Sequence, residues 1–289
     1  MKGEYNKMSE KIALLTDSTC DLSKQIMDKL SINFLPLKII FEDGEYKDRI
    51  NITPGEVYQR MAEEIPSTSM PGPDMVKKKL DYLKSEGFTH VIALHISSGL
   101  SSTYNISRMV SKEMEGITVE VIDSKMLSKG LGRLVLYARE LIDKGKLNFS
   151  EIVQELKEKR DEIDVFFVVK TLKYLKKGGR IGKVKGTIGQ LLNIKPIISI
   201  NEEGEYYTFD KARSKNKSIK SLYEIASEKI SKGLCCIDVM HADAEKEAES
   251  LLNKFKELKN VKETVLAEIS PAMAVHAGPG LLGVCITPV

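Results

Sequence analysis

Residues 89–97, THVIALHIS, form a continuous apolar run bounded by polar residues. A strand with one wet face alternates apolar and polar residues. This one does not, as expected of a strand covered on both faces. The segments around it repeat the theme. KIALL, Lys11–Leu15, reads as a first strand that enters a loop at Thr16–Cys20, with Asp21 expected to cap a helix ending near Leu30. ITVEVIDS reads as a third such strand. Between them lie helical stretches: Pro73 to Ser85, YNISRMVSKEM, and Leu127 to Asp143. Strands alternating with helices imply parallel strands joined by helical crossovers. Thr53 and Glu56, with Pro54 between them, form a capping box for one more helix. INFLPLKIIF is strand material broken by Pro36, which a central strand tolerates poorly.

The helix SEIVQELKEKRDEI bridges to a second half, with the boundary expected near residues 145–165. DVFFVVK starts a new sheet there. KPIISI and YYTFDKA flank a Gly-containing turn and read as a hairpin. A helix over 216–232, the strand LCCIDVM, a helix over 242–257 and the strands ETVLAEI and LLGVCIT complete an α/β second half. The length of 289 residues suits two domains, and 42% apolar content supplies a substantial core. Lys plus Arg number 44 against 41 Asp plus Glu, so the net charge of +3 points to neither nucleic acid nor membrane. No apolar run approaches the roughly 18 residues of a membrane span. MKGEYNKMSEK has no apolar signal region, and residues 1–9 are expected to be a frayed tail. Cys20, Cys235, Cys236 and Cys285 include no C-x-x-C pair, which fits reduced thiols in a cytoplasmic protein.

Ligands of open parallel sheets bind beyond the carboxyl ends of the strands. Three hydroxyl-rich segments fall there: TDST, SSGLSST and the pair Asp123-Ser124. A fourth, PSTS, leads into the helix at Pro73, and Pro71 and Pro73 restrict how Ser67, Thr68 and Ser69 are presented. Helix N-termini at such an edge suit a carboxylate or phosphate, and hydroxyls add donors without charge. Helix capping alone accounts for any single loop; several on one edge favour a ligand site. Lys170, Lys173, Lys176, Lys177, Arg180, Lys183 and Lys185 share one segment with no acid, which points to a local anionic partner. Nucleic acid is not expected, because aromatic interleaving is limited to Tyr174 and no nucleic-acid motif occurs. His276 sits among small residues and is either structural or, given Gly278 and Gly280 beside it, part of a site. His90 and His95 face opposite sides of a strand, and no metal-binding spacing is present. GPGLLG is followed by a strand and not a helix, GGRIGKVK lacks phosphate-loop spacing, and no G-x-S-x-G elbow occurs. The residues offer hydroxyls for binding and no base paired to a nucleophile.

LLTDSTCDLS, PSTSMPGP, ISSGLSSTY, VIDSKMLSKGLG, LKYLKKGGRI, LLNIKPII and HAGPG follow one another as in the DegV family, which the chain resembles over about residues 11–289. That family includes the fatty-acid-binding subunits of bacterial fatty acid kinase. The resemblance implies a two-domain α/β fold: a Rossmann-like parallel-sheet domain over 10–160 and a second α/β domain over 161–289, with a lipid tunnel between them. It implies a non-catalytic protein without cofactor or metal. Its ligand would be a long-chain fatty acid such as palmitate, stearate or oleate, and its partner the ATP-binding kinase subunit, with at most transient membrane contact. Carried over by position, the carboxylate site comprises Thr68 with Ser69 beside it, Ser97 or Ser98 with Ser98 favoured, Arg180 and His276. The pattern departs at Met70, where the family usually has Gln, and at Ser102, where it usually has Gly. Two other readings stand beside this one: an enzyme acting on a small phosphorylated or anionic substrate at the same loops, and a nucleic-acid-binding protein using the basic segment.

Overall fold

The computed structural model describes residues 10–188 and 194–289; the expected tail over 1–9 and part of LLNIKPII lie outside the described residues. In chain order the strands are β1 Ile12–Asp17, β2 Ile32–Leu35, β3 Lys38–Phe41, β4 Gly44–Lys47, β5 Ser67–Ser69, β6 His90–His95, β7 Thr118–Asp123, β8 Asp164–Val168, β9 Lys195–Ile200, β10 Tyr206–Ala212, β11 Cys235–Ala242, β12 Val261–Glu268 and β13 Leu281–Pro288. The helices are α1 Lys24–Lys29, α2 Pro54–Arg60, α3 Pro73–Ser85, α4 Thr103–Ser111, α5 Ser128–Lys144, α6 Phe149–Arg160, α7 Lys173–Lys177, α8 Lys185–Ile188, α9 Lys215–Ile230, α10 Glu245–Lys256 and α11 Pro271–Ala277.

The expected α/β architecture is present. β2, β1, β6 and β7 form a parallel sheet in that order. Residue parity shows why THVIALHIS has no alternation. Ala13, Leu15, Val91 and Ala93 face α3, whose Val76, Leu80 and Leu83 recur at helical spacing. Leu14, Ile92 and Leu94 face the other way, toward Leu131, Leu134 and Val135 of α5.

The second sheet has the order β10-β9-β8-β13-β11-β12. Only β11 and β12 are parallel; the other neighbours are antiparallel, and β13, latest of the six in the chain, lies between β8 and β11. One face packs on α9 and α10 through Phe166, Leu222, Ala226 and Phe255. The opposite face, with Val165, Phe167, Met240 and Cys285, shares a core with α5 and the first sheet. α5 is therefore buried between the two sheets. Gly132 permits this approach, since a Cβ there would lie 2.3 Å from the Cys20 carbonyl oxygen.

Pro36 marks the switch between sheets. β2 ends before it, and β3 after it joins the small antiparallel sheet β4-β3-β5. The expected PSTS loop is in fact a short strand: Ser67, Thr68 and Ser69 stand opposite Ile40, Ile39 and Lys38. Thr68 therefore faces one way and its two serine neighbours the other.

Asp21 does not cap α1 as its position predicts. Ser23 is the cap, its Oγ accepting from the Ile26 N–H, and β1 runs on through Thr16 and Asp17. Asp21 instead adopts φ 50° and turns its carboxylate inward. Oδ1 accepts from Arg49 Nη2 at 2.7 Å and from the Ser270 N–H at 2.9 Å, while Oδ2 accepts from Ser128 Oγ at 2.5 Å. Arg49 Nε also donates to the Ser18 carbonyl. One fully buried carboxylate thus joins the turn after β1, the segment before α2, the start of α5 and the cap of α11. Asp21→Ala strands Arg49 without its partner and is expected to destabilise the fold by about 3–5 kcal/mol. Urea denaturation reads this as a lower midpoint, and a loss below about 1 kcal/mol would refute the role given to this carboxylate.

Candidate functional site

α11, which carries His276, has no apolar period in the sequence and is set by its first turn. Ser270 Oγ accepts from the Met273 N–H, Pro271 occupies the opening position, and the N–H groups of Ser270 and Ala272 donate to Asp21 and Asp48. Burial pushes the Asp48 carboxyl up to about 7. At the far end of the helix, His276 Nε2 lies 2.7 Å from Thr68 Oγ1. The hydroxyl segment and the histidine, 208 residues apart, meet here.

The imidazole is held neutral. Burial, with a smaller contribution from the positive charge of Arg180, lowers its pKa from 6.5 to about 4. Nδ1 is sealed and unpartnered, facing Gly178, where a Cβ would lie 2.1 Å from it. A buried N–H without an acceptor is costly, and nearby Arg180 favours a bare lone pair. We therefore assign the ring proton to Nε2, donating to Thr68 Oγ1. The Thr68 hydroxyl hydrogen is then left for a ligand in the adjoining cavity.

That cavity has a polar wall made by Thr19, Thr68, Ser69, Ser101, Arg180, Tyr206 and His276. Met70, Leu37, Ile96, Leu100, Ala272 and Met273 complete it. Arg180 is fixed by two carbonyls, Nε donating to Leu100 at 3.1 Å and Nη1 to Gly178 at 2.6 Å. Its Nη2 is uncommitted among the described residues. Thr19 Oγ1 donates to Asp17 Oδ1, whose other oxygen accepts from the Ile96 N–H and lies 3.2 Å from His95 Nδ1. A second cavity, narrow and apolar, shares Tyr206, Met273 and His276 with the first. Val165, Phe167, Met240 and Leu281 of the second sheet and Leu175 of α7 line it, together with Leu127 and Ile269 just ahead of α5 and α11.

Four residues singled out in the sequence, Thr68, Ser69, Arg180 and His276, therefore share one cavity. Ser97 and Ser98 are not in its wall. Ser97 Oγ donates to the Gly204 carbonyl at 2.8 Å, and Ser98 Oγ donates to Asp123 Oδ2 at 2.5 Å. They fasten the loop, whose tight turn, with the Leu100 and Ser101 N–H groups both bonded to the Ser97 carbonyl, delivers Ser101 to the cavity. The signal for Ser101 was its place three residues beyond Ser98 on that turn. Met70 lines the cavity, whereas Ser102 caps α4 without a side-chain hydrogen bond. The acid-free basic segment is partly compensated from elsewhere: Lys183 pairs with Glu203 and Glu205 across the β9–β10 turn, while Lys173, Lys176 and Lys177 stay exposed.

A family pattern described as "Uncharacterised protein, DegV family" matches residues 11–289. This chain belongs to the DegV family. A DegV domain-containing protein of Clostridium acetobutylicum is 48% identical over 277 residues, 96% of this chain and 99% of that one. The solved structure of a DegV family protein from Thermus thermophilus, described for its fatty acid binding, superposes with a TM-score of 0.90 at 30% identity and covers 96% of this chain and all of its own. That of a stearic acid-binding protein from Eubacterium ventriosum gives 0.87 at 27%, covering 96% and 98%. Among the described residues of this DegV chain, no helix is long and apolar enough to cross a membrane, and the four cysteines are free thiols.

The depressed His276 pKa has a stability consequence. Below pH 6.5 the unfolded chain takes up a proton at this ring that the folded protein refuses until about pH 4. The contribution is complete above pH 6.5 and falls by about 3 kcal/mol as pH drops toward 4. Asp48 slopes the opposite way, its contribution declining as pH rises from 3.8 to about 7. Because Asp48 is common to both proteins, the difference between the parent and His276→Gln isolates the ring. Urea midpoints measured from pH 7.5 to 4.5 should show the parent losing stability relative to the variant; parallel curves would contradict a neutral buried imidazole.

Proposed function

We propose that this protein binds a long-chain fatty acid such as palmitate, stearate or oleate, without catalytic machinery of its own, and presents the carboxylate to a separate ATP-dependent fatty acid kinase in the cytoplasm. The carrying observation is the Thr68–His276 pair at the border of a polar cavity and an apolar one. A carboxylate buried beside apolar walls is costly unless hydrogen-bonded. The Thr68 hydroxyl, Ser101 and the Nη2 of Arg180 supply donors on one side of His276, while Ser69 Oγ donates to the Met70 carbonyl at 3.4 Å and the acyl chain lies on the other side. Each buried methylene contributes about 0.8 kcal/mol, so most of the affinity comes from the tail. The fatty-acid-binding structural neighbours support the same ligand class. The exposed Lys173, Lys176 and Lys177, on the helix leading to Arg180, suit the acidic surface of a kinase or the charge of an acyl phosphate.

Protein purified from a bacterial host is expected to release a long-chain fatty acid on denaturation, identified by mass spectrometry. Thr68→Val should weaken fatty-acid binding by about 1–3 kcal/mol through loss of the donor. Affinity that is unchanged in Thr68→Val, or that is higher for short anionic compounds than for chains of about 14 to 18 carbons, would overturn this reading.

A further inference from the structure

Tyr206 opens β10 and is 4% exposed. It lines both cavities, at the junction they share with Met273 and His276. A buried tyrosine ordinarily finds a partner for its hydroxyl. This one makes no hydrogen bond among the described residues, and its oxygen is not sealed by surrounding atoms as that of Tyr58 is. The hydroxyl is deep in the protein and still open, and the space beside it is the candidate ligand site. Burial pushes the phenol far above its ordinary pKa, opposed only in part by the charge of Arg180, so the group keeps its proton and remains a donor.

The ring is held in place from three sides. Its backbone pairs with Ile200 of β9, and Phe167 of β8 meets the ring edge-on with 5.2 Å between centroids. Gly182, two residues beyond Arg180, packs so close that a Cβ there would lie 2.6 Å from the Tyr206 carbonyl oxygen. The protein's own buried carboxylates show how many donors such a group gathers. Asp21 takes Arg49, Ser128 and the Ser270 N–H. Asp17 takes the N–H and hydroxyl of Thr19 and the Ile96 N–H, and lies against His95 Nδ1. A carboxylate in the polar cavity has the Thr68 hydroxyl, Arg180 Nη2 and Ser101, whose oxygen already shares a hydrogen bond with Thr103 Oγ1 at 2.9 Å. One more donor brings it to the saturation of Asp17, and the Tyr206 hydroxyl is the unspent donor in the same wall.

We propose that the Tyr206 hydroxyl donates to the carboxylate of the bound acyl chain and makes the site selective for an anionic head group over a neutral one. A hydrogen bond to a charged oxygen is roughly twice as strong as one to a neutral oxygen, so an alcohol or ester in the same place gains less from the phenol. The proposal rests on the fatty-acid reading above and adds to it a residue of the second sheet that no motif of the sequence singled out.

The test compares the full chain, freed of co-purified lipid, with its Tyr206→Phe variant. Phe keeps the ring and its contact with Phe167, so the urea midpoint should be unchanged or higher once the unpaired hydroxyl is gone. Affinities are measured for palmitate and for hexadecanol, which has the same length of tail and an uncharged head. Palmitate carrying an isotope label at its carboxyl carbon is followed by NMR in both proteins. We expect the variant to bind palmitate about tenfold more weakly or worse, with a clearly smaller loss for hexadecanol. The bound carboxyl resonance should also move between the two proteins, which a change in packing along the tail would not cause. Equal palmitate affinity in parent and variant, or equal losses for palmitate and hexadecanol, overturns the role of Tyr206 and leaves fatty-acid binding standing. Failure of the parent itself to bind palmitate overturns both.

Discussion

The buried carboxylate of Asp21 is the point on which the rest of the structure depends. An isolated charge in a protein interior is strongly unfavourable, and it persists only when its oxygens are saturated. Here the guanidinium of Arg49, the Ser270 N–H and the Ser128 hydroxyl do so. Those partners come from segments far apart in the chain, so satisfying one carboxylate fixes several starting points at once. Ser128 begins the helix sandwiched between the sheets, and Ser270 begins the helix that carries His276. The positions of the apolar cavity's wall and of the polar cavity's imidazole therefore follow from the same interaction.

The candidate site is sparing in its use of charge. The Thr68 and Ser101 hydroxyls bring polarity to the wall without charge, whereas a row of lysines in the same place would repel one another. Arg180, the one cation in the wall among the described residues, is half spent on backbone carbonyls and so is rigidly aimed. A neutral His276 backs Thr68 without adding a second positive charge beside Arg180. Gly178 is necessary to this arrangement, because any larger residue would strike the ring.

Much of the fold was legible in the sequence because its signals are local or periodic. Alternate residues of β1 and β6 serve two different cores, the Val76–Leu80–Leu83 stripe defines α3, and Thr53 with Glu56 closes the expected capping box. What was illegible depended on distant partners. Asp21 occupies a plausible cap position, but saturation by Arg49, Ser128 and Ser270 outweighs one local hydrogen bond. Ser67–Ser69 reads as a turn because three residues are too few to show a strand's period, and only Ile39 across the ladder makes them one. α11 is short and built of small residues, so its sequence has no apolar stripe to reveal it. For the site, motif order located Thr68, Ser69, Arg180 and His276, yet which serine of ISSGLSST faces the ligand is decided by a turn and by Asp123 and Gly204, none of which the loop encodes. The missing acids of the basic segment lie on the β9–β10 turn, close in space and distant in sequence.

The place of β13 bears on how the molecule assembles. β8, β9 and β10 cannot register against β11 and β12 until Leu281–Pro288 is threaded between them. The four parallel strands of the first half hydrogen-bond among themselves and not to that segment. Leu281 and Gly283 of that same strand line the narrow cavity, so the chamber's wall is complete only once the strand is in place.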